Sequence, residues 1–314
     1  MTKFYLTTVA LVLSSLLAAA QQSSDMKSWQ YPYDVQHISV LDSLEIAYID
    51  EGTGPVALFI HGLGSNLQAW KKTVDSLRLH HRCIAIDLPG YGKSSGGDLP
   101  YSMSFFADAV IALVEALELE EVSLVGHSMG GQVSMHVALR KHPSIKHLAL
   151  MAPAGFEQFT PEEEQWFATY VRPAFIQATS EAQIVRNFEL NFHEMPDDAR
   201  FMINDRLEMR ADTQAYEAYC QMIPKCVQAM LQEPVFNQLD QITIPTVVVY
   251  GAEDELIPNR ILHPSLTTSQ VAEAGTQALG NAEHHMLASA GHFVQWEQSE
   301  EVNKLLISFF RSNP

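Results

Sequence analysis

Five short, nearly continuous apolar runs constrain the fold of this chain more than any other feature of its sequence. They span residues 56–60, 83–86, 122–125, 147–151 and 246–250. Runs of this kind are typical of parallel strands that are buried on both faces. Helical patterns lie between them, including Phe105–Leu117 and Gly131–Arg140. The alternation predicts an α/β fold with a doubly wound, mostly parallel sheet.

The residues just before the first of these apolar runs have a different pattern. Residues alternate between apolar and polar from Gln36 to Val40 and again from Leu44 to Tyr48, with Asp42-Ser43 between them. This pattern predicts a β-hairpin at an antiparallel edge of the sheet.

The rhythm of strands and helices stops between about Gly155 and Leu239, where the pattern is helical. This segment opens at Thr160–Glu164, with an N-cap threonine, a proline and three glutamates. With 314 residues, the chain exceeds a single compact core. We therefore predict a core of residues 21–154 and 240–314 and an inserted helical cap of residues 155–239.

The amino terminus resembles a targeting segment. Lys3 precedes an apolar run from Phe4 to Leu17, and the small residues Ala18–Ala20 are followed by polar ones. This order predicts a signal peptide of residues 1–20 and a periplasmic or secreted protein. An uncleaved membrane anchor is the alternative, but the run is short for a span of about 20 residues. We expect no stable membrane span after removal of the signal.

The net charge narrows the classes of partner. The formal net charge of −18 argues against nucleic acid and anionic lipid, both of which attract basic surfaces.

The cysteine content bears on disulfide bonds. The three cysteines form no disulfide framework, and Cys83 belongs to an apolar run. Pro224 is expected to break the helix that contains Cys220 and Cys226, which leaves a bridge between these two open.

The clearest chemical motif follows the third apolar run. Gly126-His127-Ser128-Met129-Gly130 is a G-x-S-x-G sequence between a strand and a helix. A serine on such a tight turn brings the flanking residues together, so side chains at positions 126 and 130 would collide. We predict that Ser128 is a nucleophile and that His127, which points away on such a turn, is a packing residue.

A serine hydroxyl needs a positioned base and a carboxylate that orients it. His292 is the predicted base because it follows an apparent strand, Glu283–Ala288, and precedes an amphipathic final helix. Asp254, in the turn after the strand of residues 246–250, is the predicted acid. Glu253, Glu255 and Glu157 are the alternatives.

An oxyanion intermediate needs aligned donors. We assign the backbone N–H of Met129, directly after the nucleophile, and that of Leu63, in the glycine-rich turn of residues 61–65. No cofactor or metal is needed for this chemistry. The turn Asp87–Ser94 receives no chemical role.

With these four turns in order, the sequence resembles the α/β-hydrolase fold superfamily across the mature chain. The Ser128 motif and residues 151–155 are similar to monoacylglycerol-lipase-like carboxylesterases with helical caps. This resemblance implies a serine hydrolase that cleaves carboxylic esters of a lipophilic small molecule or a monoacylglycerol. Aromatic and methionine residues of the predicted cap suggest a lipophilic pocket, although such residues also serve simple packing. They are Phe156, Phe159, Trp166, Phe167, Tyr170, Phe175, Met202, Met209, Met222 and Met230.

The ending Gly291–Glu297 also resembles the meta-cleavage-product hydrolases, which cleave carbon–carbon bonds. In that family a tryptophan usually stands at the position of Phe293, an asparagine at that of His127, and the oxyanion loop is longer. Arg206 could match their cap arginine, which engages a substrate carboxylate, or could be a solvated side chain. Carbon–carbon cleavage is therefore the alternative activity, and a binding protein on a hydrolase scaffold is a third hypothesis.

Overall fold

The computed structural model describes residues 29–313, so the predicted signal peptide lies outside the described residues. Within them, eight strands form one sheet in the order β1-β2-β4-β3-β5-β6-β7-β8. The strands are β1 Gln36–Val40, β2 Leu44–Glu51, β3 Val56–Ile60, β4 Arg82–Ile86, β5 Val122–His127, β6 Ile145–Met151, β7 Thr246–Gly251 and β8 Ala282–Leu287.

Helices cover the sheet and fill the long connection between β6 and β7. The α-helices are α1 Lys71–Leu77, α2 Met103–Ala116, α3 Met129–Leu139, α4 Pro161–Tyr170, α5 Pro173–Ala178, α6 Glu181–Glu189, α7 Phe201–Ala211, α8 Thr213–Gln232, α9 Thr268–Leu279, α10 Val294–Glu297 and α11 Ser299–Ser312. Three short 3-10 helices occur at Leu67–Trp70, Asp197–Ala199 and Phe236–Gln241.

The predicted α/β fold is confirmed. Every residue of β3, β5 and β7 is buried, and their side chains divide between hydrophobic clusters on the two faces of the sheet. Strands β3 to β8 pair in parallel, whereas β1 and β2 form the expected antiparallel hairpin. Burial on both faces is the reason why these strands read as continuous apolar runs.

The strand order reverses at β3. This strand lies between β4 and β5, with Ile60 opposite both Ile86 and Gly126. In open α/β sheets, ligands bind at the carboxyl ends of the strands, where the order reverses. The loops that follow β3 and β5 therefore meet at the position where a site is expected.

The connection between β6 and β7 contains no strand among its described residues. Its first long helix, α4, begins at a capping box in which Thr160 and Glu163 bond to each other's backbone N–H. This start agrees with the one read from the sequence. The division into a core and a cap domain stays a prediction.

The expectation that Pro224 breaks its helix was wrong. Helix α8 runs through Pro224, which is itself buried. Cys220 and Cys226 therefore point to different sides: Cys220 packs near Trp29 and Tyr216, and the hydroxyl of Tyr91 lies 3.3 Å from the sulfur of Cys226. All three cysteines are free and buried, so no bridge joins this pair.

None of the helices within residues 29–313 is both long and apolar enough to cross a membrane.

The central strand should carry much of the stability. Leu58 in β3 is fully buried, whereas Leu79 is 74% exposed. We expect Leu58→Ala to lower the free energy of unfolding by about 2–5 kcal/mol, through lost burial and a residual cavity. Leu79→Ala should change it by less than about 0.5 kcal/mol. Urea unfolding of both variants measures the difference, and equal losses would contradict this account of the core.

Candidate active site

Ser128 lies on a strained turn between β5 and α3. Its backbone has φ 53° and ψ −120°, a conformation that costs free energy for any residue other than glycine. A Cβ atom added to Gly126 would lie 2.4 Å from the carbonyl oxygen of Gly130. One added to Gly130 would lie 2.2 Å from that of Ile60 at the end of β3. Neither position has room for a side chain, as the motif predicted.

The structure brings Asp254 and His292 together. The Nδ1 atom of His292 lies 2.8 Å from Oδ2 of Asp254, and both side chains are buried. The other carboxylate oxygen accepts the backbone N–H groups of Leu256 and Ile257, at 2.8 and 3.0 Å. The carboxylate is thus held by backbone donors on one side and orients the imidazole with the other.

The alternative carboxylates have other partners. Glu253 accepts the backbone N–H of Ala290, and Glu255 forms a surface ion pair with Arg260. The carboxylate of Glu157 lies 2.5 Å from Nδ1 of His263. These contacts leave Asp254 as the carboxylate that is bonded to His292.

His127 has a second role that was not predicted from the sequence. Its ring packs against Phe293 and His292, with centroids 4.6 and 4.9 Å away. Its Nε2 donates to the carbonyl oxygen of His292 at 3.0 Å, and burial lowers the pKa of this imidazole well below its usual value. His127 is therefore a neutral packing residue, as expected, that also holds the backbone of His292.

The β3 loop, residues 61–65, lies directly against Ser128. A Cβ atom added to Gly62 would be 3.0 Å from that of Ser128. The loop forms a turn in which Ser65 N–H donates to Gly62 O at 3.3 Å, with Gly64 at φ +67°. Met129 is the first residue of α3, so its N–H has no partner within the helix. The loop that carries Leu63 thus lies against Ser128, and Met129 follows Ser128 directly, while their role as oxyanion donors stays a prediction.

The core holds this loop through His61. The buried Nε2 of His61 accepts the backbone N–H of Leu88 at 3.0 Å, so the proton is on Nδ1, which donates to Gly62 O at 2.8 Å. Burial lowers the pKa of this imidazole to about 4. His61 therefore stays neutral at ordinary pH and keeps both bonds.

Asp87, which follows β4, bonds to the segment just after the β3 loop. It accepts the backbone N–H groups of Leu67 and Lys93 and the hydroxyl of Tyr31, at 2.8–2.9 Å. Its complete burial raises its pKa to about 6. The turn that begins at Asp87, for which no chemical role was predicted, thus bonds to Leu67, just after the β3 loop.

Ser128 and His292 line one cavity of about 450 Å³. Most of its wall is apolar, and the described residues that line it include no lysine or arginine. The apolar residues are Leu63, Ala154, Phe159, Phe167, Val227, Met230, Leu231, Pro234, Phe236, Leu256 and Ile257. Glu157 and Glu164 supply the acidic groups of the wall.

Arg206 lies elsewhere. It lines a neighbouring cleft of about 250 Å³ that shares Leu63 with the first cavity. Its guanidinium donates to Gly64 O at 2.6 Å and to the hydroxyl of Tyr219, whose ring it covers at 3.8 Å. The structure therefore separates Arg206 from the cavity that Ser128 and His292 line.

Within residues 29–313 there is no cluster of three or more His, Cys, Asp or Glu side chains suited to a metal ion.

The family model described as the alpha/beta hydrolase fold matches residues 55–299 of this chain. The chain belongs to this family.

Two curated relatives come from Pseudomonas putida. The dihydrolipoyllysine-residue acetyltransferase component of the acetoin cleaving system is 29% identical over 84% of this chain. The match spans only 65% of the length of that relative. The 2-hydroxymuconate semialdehyde hydrolase is also 29% identical, over 83% of this chain and 88% of the relative.

Three solved structures share the fold. A probable hydrolytic enzyme from Pseudomonas aeruginosa superposes with a TM-score of 0.79 at 22% identity, over 91% of this chain and 97% of its own. An esterase from Exiguobacterium antarcticum gives 0.73 at 18% identity, over 88% and 99%. A bacterial membrane phospholipase A gives 0.73 at 22% identity, over 99% of both chains.

His61 should make stability depend on pH. Its pKa is about 4 in the folded protein and about 6.5 in the unfolded chain, so the unfolded chain binds the proton first as pH falls. This group therefore lowers the free energy of unfolding by up to roughly 3 kcal/mol between pH 6.5 and 4. In His61→Asn that contribution is absent. Denaturant unfolding at several pH values should show a steeper acid loss in the wild type, and parallel curves would disprove it.

Proposed function

We propose that this protein is a serine hydrolase that cleaves carboxylic esters of lipophilic, uncharged small molecules, a class that includes monoacylglycerols. Ser128 is the nucleophile, His292 the general base and Asp254 the carboxylate that orients it. An esterase and a phospholipase A are among the solved structures that share its fold.

The cavity that contains Ser128 and His292 is the observation that carries this proposal. Its wall is mostly apolar, its carboxylates are those of Glu157 and Glu164, and the described residues that line it include no lysine or arginine. An anionic substrate would enter it unpaired, at a high cost in desolvation. A neutral ester with an acyl chain meets no such penalty and buries apolar surface.

The first half of the reaction is acylation. Because Nδ1 of His292 is bonded to Asp254, its Nε2 is the atom that takes the proton from Ser128. The hydroxyl oxygen attacks the ester carbonyl and forms a tetrahedral oxyanion. His292 then gives the proton to the leaving alcohol.

The oxyanion is stabilised by the backbone N–H groups of Leu63 and Met129. Both are positioned before the reaction, so they need no reorganisation when the charge develops. Water, activated by His292, then attacks the acyl-enzyme and releases the carboxylic acid. This reaction uses no cofactor.

Carbon–carbon cleavage is the second candidate, supported by the similarity to 2-hydroxymuconate semialdehyde hydrolase. Such a substrate carries a carboxylate, which needs a cationic partner. Arg206 is the predicted partner, but its guanidinium is bonded to Gly64 O and Tyr219 outside the Ser128 cavity. Ester hydrolysis is therefore the preferred activity.

We also propose export, from the targeting pattern of residues 1–20. The partner is then a small-molecule ester outside the cytoplasm rather than nucleic acid. Amino-terminal sequencing of the mature protein should begin at Gln21, and an intact Met1 would contradict cleavage.

The nucleophile can be tested by covalent labelling. A fluorophosphonate should label the wild type, and a p-nitrophenyl ester series of increasing chain length should be hydrolysed. Ser128→Ala should abolish both. Ser134→Ala, which removes a buried hydroxyl in helix α3 six residues after Ser128, should still be labelled. Retained labelling in Ser128→Ala would refute the assignment. If the wild type turned over no ester but cleaved a vinylogous diketo acid, the second candidate would hold.

The acid can be tested by isosteric replacement. Asp254→Asn should preserve the fold but lower kcat by about 10⁴-fold, because an amide cannot stabilise the charged, correctly oriented imidazole. Glu255→Gln removes a neighbouring carboxylate that only pairs with Arg260 at the surface. Steady-state kinetics should show near wild-type kcat for this control, and a similar loss in both variants would eliminate Asp254 as the acid.

A further inference from the structure

The direction of the Leu63 N–H is set by the peptide unit to which it belongs. That unit also contains the carbonyl of Gly62, and a trans peptide is planar, so the N–H and C=O point in opposite directions. Whatever holds Gly62 O therefore aims the Leu63 N–H. Two donors hold it, namely Nδ1 of His61 at 2.8 Å and the backbone N–H of Ser65 at 3.3 Å.

The second of these donors leads to the helical connection. The Ser65 N–H shares its own planar peptide unit with the carbonyl of Gly64, and this carbonyl accepts Nη2 of Arg206 at 2.6 Å. Two rigid peptide planes in series therefore join the Arg206 guanidinium to the Leu63 N–H. Gly64 lies between these planes with φ +67°. Because a glycine backbone is conformationally permissive, the turn depends on bonds from outside to keep its conformation.

Arg206 is itself fixed. Its guanidinium donates to the hydroxyl of Tyr219, lies 3.8 Å above that ring, and lies 5.6 Å from the ring centroid of Phe188. A planar guanidinium that is bonded at two nitrogens and stacked on an aromatic face has little rotational freedom.

Asp205, the residue before Arg206, bonds to the residues that follow the β3 loop. Asp205 accepts Nε2 of Gln68 at 3.0 Å and Nδ2 of Asn66 at 3.4 Å. Helix α7 thus holds residues 64–68 with two consecutive side chains, one cationic and one anionic. His61 holds the same loop from the core side.

We propose that Arg206 is a positioning residue for the oxyanion donor: from helix α7 it locks the Gly64 peptide and so aims the Leu63 N–H at the reacting carbonyl. This inference rests on the proposed serine hydrolase function. It gives the helical connection a role in the chemical step, in addition to any role in covering the substrate, and it replaces the expected contact between Arg206 and a substrate carboxylate.

The test compares two arginines of one helix. Arg210, four residues after Arg206, also donates to a backbone carbonyl, but to that of Thr179, between helices α5 and α6, and not to a carbonyl of the β3 loop. Arg206→Met should lower kcat for a neutral p-nitrophenyl ester about 10- to 100-fold and change KM by less than about threefold. The reason is that the Leu63 N–H stabilises the oxyanion of the transition state much more than the bound substrate, so a misdirected N–H affects mainly the chemical step. Arg210→Met should keep kcat within about twofold of the wild type.

A transition-state analogue separates positioning from stability. A trifluoromethyl ketone forms a tetrahedral adduct with the serine, so its affinity should fall in Arg206→Met by the same factor as kcat/KM. Arg206→Lys should show an intermediate loss, since an ammonium cannot bond Gly64 O and Tyr219 with the same planar geometry. Tyr219→Phe keeps the guanidinium but removes one of its two acceptors, so the bond to Gly64 O is less firmly held. It should shift kcat in the same direction, which keeps the proposal testable if Arg206→Met does not fold.

Three outcomes would overturn the proposal. The first is equal kcat per folded molecule in the Arg206→Met and Arg210→Met variants. The second is a KM effect confined to carboxylate-bearing substrates, which would assign Arg206 to substrate binding. The third applies if the wild type hydrolyses no ester, so that the proposed function fails: the rate of fluorophosphonate labelling of Ser128 then becomes the readout, and an unchanged rate in Arg206→Met would reject the positioning role.

Discussion

The close packing of the Ser128 turn against the end of β3 is the constraint on which the rest of this site depends. A Cβ atom on Gly130 would lie 2.2 Å from the carbonyl oxygen of Ile60, so the start of α3 touches the backbone of the neighbouring strand. This contact fixes the separation between Ser128 and the β3 loop. It is possible only because β3 and β5 are adjacent where the strand order reverses.

Backbone groups take part in many of the bonds that hold the reacting groups in place. Asp254 is fixed by two backbone N–H groups, and the carbonyl of His292 accepts a bond from His127. The serine turn is tied in the same way, since Ser128 N–H donates to Met151 O at the end of β6. Loops that follow five neighbouring strands, β3, β5, β6, β7 and β8, thus line one cavity.

Two predictions about the helical connection between β6 and β7 were not met, and its contacts explain why. Arg206 was read as either a ligand for a substrate carboxylate or a solvated side chain, but it bonds Gly64 O, 142 residues away. Pro224 was expected to end a helix, but α8 continues through it because the surrounding packing outweighs the local cost. Neither result has a signal in the local sequence, since both depend on which distant segments meet.

The sequence by itself determined the parallel sheet, its antiparallel edge and the turns that hold Ser128, Asp254 and His292. It could do so because burial on both faces demands continuous apolar runs, and tight turns demand glycine at fixed spacing. Only the tertiary structure decided which carboxylate reaches His292, how His61 and His127 are used, and where Arg206 binds. Those choices depend on distances between residues far apart in the chain, which no local pattern encodes.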